Sequence, residues 1–111
     1  MPEAWFLEEI ARGAGIIDWL GAQIDILPEP VRDDGSHPMV EEHLRQRRHL
    51  REVCRDAIHA GVAERQVAVA EQHGAQVAAV IRAILGDMEL TPAQLALVPR
   101  VVPRHLRAIT G

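Results

Sequence analysis

A proline-free run of about 48 residues, Met39–Gly86, limits what this chain can fold into more than any other feature. The run is rich in Ala, Glu, Gln and Arg, which have high helix propensity. Its apolar residues step by three and four: Leu50, Val53/Cys54, Ala57/Ile58 and Gly61/Val62, then Val77, Val80/Ile81 and Ile84/Leu85. This spacing predicts helix over 39–86, either continuous or as two collinear pieces. Gly61 and Gly74 are its weak points, each costing about 1 kcal/mol relative to Ala. One unbroken helix would be about 72 Å long, too long for a compact domain whose radius of gyration is roughly 13 Å. The segment therefore breaks and folds back, or protrudes onto another subunit. Either outcome implies helix–helix association, and Ala68, Ala70 and Ala75 are small enough to let a second helix come close.

The flanks are also helical in pattern. Residues 1–27 form an acidic N-terminal helix, with Pro2 suited to the first turn and Glu3, Glu8 and Glu9 favouring the positive helix end. Ile16, Leu20, Ile24 and Leu27 make one apolar stripe, while Gly13 and Gly15 are expected to kink or split the helix. Residues 28–38 hold Pro28, Pro30, Asp34-Gly35 and Pro38 and read as a loop, with Ser36 or His37 capping the next helix. Thr91-Pro92 with Gln94 forms a capping-box signature that opens the region 91–110. There Pro99 and Pro103 predict two short helices, Pro92–Leu97 and Arg100–Ile109. Alternating strand patterns are missing. The expected fold is all-α: a single-domain small helical bundle built on a long central helix, kinked or straight, with short C-terminal helices.

Composition excludes several classes. With 48% apolar and 25% charged residues, the chain of 111 residues is too apolar for wholesale disorder. The most apolar stretch, Val77–Leu85, contains Arg82 and falls far short of the roughly 20 residues a membrane span needs. The acidic first residues are the wrong charge for a signal peptide, and a lone Cys54 excludes an internal disulfide. These readings give a cytoplasmic protein without membrane contact. All 12 basic residues are Arg, and Asn and Tyr do not occur, a bias of GC-rich coding rather than of mechanism.

Charge is unevenly placed. Residues 1–42 carry ten acids and two arginines, whereas residues 43–111 carry six acids and ten arginines. Arg45, Arg47, Arg48, Arg51 and Arg55 cluster, and spacings of three, four and seven put most of them on one helical stripe. Such a stripe can bind phosphate or an acidic protein. It can equally be neutralised by Glu52, Asp56 and the acidic first helix. No helix-turn-helix frame accompanies it. Trp5 and Trp19, close to four turns apart, share a face of an unbroken first helix. That face is either core or a partner-binding stripe, since Trp often anchors interfaces.

Catalytic patterns fail one by one. His43 and His49 are six apart and so off one metal-binding face, no HExxH occurs, and no spacing among the six His demands a metal. All-helical nucleotide pyrophosphohydrolases hold magnesium through E-E-x-x-E and E-x-x-D. Here Arg45 stands where the third acid belongs, and Glu52 and Asp56 are four apart. Ser36 is the only Ser and lies in no nucleophile frame, Cys54 sits in an apolar helical stripe, and no glycine-rich phosphate loop is present. No catalytic residue and no cofactor are expected.

The tail from Ile84-Leu85-Gly86-Asp87-Met88-Glu89-Leu90-Thr91-Pro92-Ala93-Gln94-Leu95 to Pro99, with Arg104-His105-Leu106-Arg107, resembles the C-termini of small, largely uncharacterised helical proteins of actinobacteria and their phages. The resemblance covers about a quarter of the chain, carries no active site, and implies a phage or prophage accessory or structural role. Together these readings lead to a non-enzymatic helical interaction or assembly module that binds a protein partner or itself. The alternative is a nucleic-acid-associated protein that uses the Arg stripe.

Overall fold

The computed structural model describes residues 2–27 and 37–108. Four helices follow one another in these residues: α1 (Glu3–Asp25), α2 (Pro38–His59), α3 (Glu64–Asp87) and α4 (Pro92–Leu106). The all-α expectation holds. The loop expected over 28–38 lies outside the described residues apart from His37 and Pro38.

The long central segment is two antiparallel helices that both pack on α1, neither continuous nor collinear. The break is a helix-ending motif at Gly61. Its φ of +97° lies in the left-handed region that glycine enters without a Cβ penalty. The Gly61 N–H donates to the Ile58 carbonyl (3.0 Å) and the Val62 N–H to the Ala57 carbonyl (2.9 Å), the Schellman pattern of bonds. Val62 and Ala57 are both buried in one core cluster, which closes the motif with an apolar contact. The molecule's longest dimension is consequently 46 Å.

The starts of α2 and α4 follow the sequence signals, whereas Pro2, expected in the first turn of α1, stands just before it as the N-cap. His37 caps α2, its Nδ1 accepting from the Met39 N–H at 3.1 Å, with Pro38 in the first turn. Thr91 and Gln94 form the capping box of α4, at 3.2 Å and 2.8 Å. Two further expectations are corrected. α1 runs unbroken through Gly13 and Gly15, because these glycines receive neighbours: Leu50 of α2 packs over Gly13 and the Gly74 backbone over Gly15. α4 is one helix rather than two, running through Pro99 and Pro103. The prolines, four residues apart, each withhold an amide from the preceding turn, and packing of Val102, Pro103 and Leu106 against the core holds the helix together.

α1 is the centre of the bundle. It runs antiparallel to α2, since Glu9 meets His49 while Gly21 meets His43 further along. It runs parallel to α3, since Phe6 clusters with Val67, Gly15 touches Gly74, and Asp18 pairs with Arg82 at 2.6 Å. α2 and α3 touch each other only sparingly. Two apolar cores sit along α1. One joins Phe6 and Ile10 to Val53, Ala57, Val62 and Val67. The other joins Ile16 and Trp19 to Ala78, Val102 and Leu106. Burying each large side chain contributes about 1.5–3 kcal/mol. Between the cores Ala11, Gly15 and Gly74 bring the α1 and α3 backbones into direct contact.

Candidate functional site

The Arg stripe forms on the outer side of α2. At 100° per residue, Arg47, Arg48, Arg51 and Arg55 fall within a third of the helix circumference, opposite Val53 and Ala57. All are exposed, and Leu44 and Ile58, also exposed, extend the same face at its two ends. Arg45 points away from the stripe and pairs with Glu42. Arg55 has Asp56 at 3.9 Å, a loose and exposed pair. Arg47, Arg48 and Arg51 have no ion pair among the described residues. Most of α1 packs on the other side of α2, and only its C-terminal end approaches the stripe, where Ile24 and Asp25 share a cleft with Leu44 and Arg47. Glu9 of α1 is used by Arg12 (2.9 Å) and His49 (3.1 Å).

Burial pushes the Glu9 carboxyl up, but hydrogen bonds and charge from Arg12 and His49 outweigh it and leave the pKa below the ordinary carboxylate range. His43 is held below the usual histidine range by burial and by the Arg47 charge, against a hydrogen bond with the Ile17 backbone and the Asp25 charge. Cys54 is pushed up to about 12 by burial, by the Glu71 charge and by donating its S–H to Glu71 Oε1 at 3.5 Å. A thiol in this setting is protonated at neutral pH and is a poor nucleophile.

The two tryptophans part company. Trp19 is 2% exposed in the second core and offers no surface to a partner. Trp5 is 36% exposed and packs edge-on against Phe6, with ring centroids 5.3 Å apart. The difference comes from α4, which covers the C-terminal half of α1 and leaves the Trp5 end open.

That open flank carries a feature the sequence reading missed. Along α1 and α3 runs an apolar groove of about 500 Å³, walled by Ala4, Leu7 and Ala11 on one side and by Val69 and Ala70 on the other. Glu8 stands on the α1 wall, and Arg65 and His73 on the α3 wall. Val69 is 57% exposed. Val80 and Ile84, exposed on nearly the same face of α3, continue the apolar line beyond the groove. A sequence signal existed. Val69, Val80 and Ile84 fall on a different side of α3 from the buried Val67, Gly74 and Ala78, so the helix is apolar on two faces. A helix buried on one side only needs one such face.

Among the described residues no cluster of three or more His, Cys, Asp or Glu has metal-binding geometry. None of the described helices is long and apolar enough to cross a membrane. Compared with protein-family models, with curated proteins and with solved structures, the chain matches none.

Proposed function

We propose that this chain is a non-enzymatic, cytoplasmic helical assembly module that binds another protein surface through the α1/α3 groove. The supporting observation is the groove itself: an apolar trough between two parallel helices, open to solvent and edged by charges of opposite sign. An added helix in such a trough buries apolar surface worth about 25 cal/mol per Å². A phage or prophage accessory role, implied by the resemblance of the tail, is compatible with this chemistry. The test is a photo-crosslinking residue placed at Val69, with nuclease present in the host lysate. Crosslinks to protein, of either kind, support the reading. Crosslinks from a control position on the Arg stripe but none from Val69 refute it.

A second reading is favoured by Arg47, Arg48 and Arg51, which form no ion pair among the described residues and present phosphate-binding charge to solvent. Each phosphate contact contributes close to one unit to the slope of log K against log salt, so the triple Ala variant lowers that slope by about three. No retention on nucleic acid at low salt removes this reading.

A further inference from the structure

We infer that the occupant of the α1/α3 groove is the same groove of a second copy of this chain, related by a two-fold axis parallel to the helices. The inference rests on the groove being an interaction surface, as proposed above, and adds the identity of what fills it. Two faces can meet around a two-fold axis lying between them in two ways. An axis across the helices sets α1 on α1 and α3 on α3, antiparallel, which places Glu8 against Glu8 and the cationic wall against itself. An axis along the helices sets α1 of each copy on α3 of the other. The acidic wall then meets the basic wall twice.

The register supports the second arrangement. Ala11 lies against Gly74 in the parallel α1/α3 pair, so Glu8, three residues earlier, stands near the level of Ala70 and Glu71. Across the axis, Arg65 is about 8 Å below that level and His73 about 4 Å above it, at 1.5 Å per residue. Both distances are within the combined reach of the side chains. Within one copy Glu8 and Arg65 stand on opposite walls and form no ion pair among the described residues. Ala4, Ala11 and Ala70 keep the walls low, so Leu7 of one copy can seat against Val69 of the other.

The test is sedimentation equilibrium of the purified chain with reversals at the rim. The wild type is expected to be a dimer. Glu8→Arg and Arg65→Glu each weaken the dimer by about tenfold, and the two together restore it, because the pairs re-form with their signs exchanged. Val69→Asp abolishes it while leaving the helix content of the folded chain unchanged, since Val69 is exposed. A wild type that sediments as a monomer at every concentration overturns the inference. So does a dimer that neither reversal weakens, or one that the double reversal fails to restore. A monomer whose Val69 crosslinks to a different protein overturns only the self-association and leaves the interaction reading standing. A monomer whose Val69 crosslinks to nothing removes both.

Discussion

Replacing Gly74 with Ala tests the packing on which the fold turns. A Cβ built at Gly74 lies 2.0 Å from the Ala11 carbonyl oxygen, 2.8 Å from its carbon and 3.0 Å from the Gly15 nitrogen. All three are backbone atoms of α1, so no side chain can swing aside. Relief requires α1 and α3 to separate by about 1 Å, and a gap of that size forfeits a quarter to a half of each dispersion contact across it. Overpacking of this kind costs about 1–3 kcal/mol or more, and here both flanking cores are strained together, which favours the upper end. Against it, Ala in mid-helix gains about 1 kcal/mol over Gly. The net expectation is a loss of about 2–3 kcal/mol, or a fall in Tm of about 10–20 °C for a domain near 100 residues. Urea and thermal melts followed by helical circular dichroism measure it. Gly86→Ala is the internal control. It lies in the same helix with nothing within 4 Å of the added Cβ, and is expected to be neutral or stabilising by up to about 1 kcal/mol. Equal effects at the two sites would refute the backbone contact and with it the parallel α1/α3 register.

Other outcomes follow from the titrating groups. With its pKa near 12, Cys54 is about 10⁻⁴ thiolate at pH 8, and even with the higher nucleophilicity of a basic thiolate it labels roughly 10–100-fold more slowly than an exposed cysteine. Glu71→Gln removes the neighbouring charge and speeds labelling; an unchanged rate would exclude Glu71 as a cause. His43 and Glu9 both have lowered folded pKa values, so each contributes stability above its unfolded value and loses it as pH falls through the folded one. Denaturant melts should therefore weaken first below about pH 6.5 through His43, and again below about pH 4.5 through Glu9. His43→Gln should remove the first step and keep the second; a profile in which His43→Gln leaves the first step in place contradicts the assignment.

Much of the local structure was legible in the sequence, because capping chemistry is local. His37-Pro38 and Thr91-Pro92-Gln94 each begin a helix where their hydrogen bonds require it. Propensity could not tell apart the two glycines of the central segment. Gly61 and Gly74 cost a helix the same, yet one takes a positive φ and ends α2 while the other stays helical to admit α1. Only the tertiary neighbour decides between these uses. Pro99 and Pro103 misled for the same reason, since core packing carries α4 across the missing amides. The Arg stripe was visible because it belongs to one helix, although the separation of Arg48, Arg51 and Arg55 from the acidic α1 was not. The second apolar face of α3 signalled an unpartnered surface, but the groove itself was not legible, because its walls lie some 60 residues apart and exist only once α1 and α3 pair in parallel.

The central place of α1 also sets a timetable for synthesis. Its apolar side, with Phe6, Ile10, Ile16 and Trp19, is completed only when α2, α3 and α4 have been made. At about 5–20 residues per second, the interval between the end of α1 at Asp25 and the end of α4 at Leu106 is roughly 4–16 s. During that interval on the ribosome the helix that later organises the bundle is an uncovered amphipathic segment. The nascent chain's strongest binding face for chaperones, or for a neighbouring chain on the same message, is therefore the one that the finished molecule hides most completely.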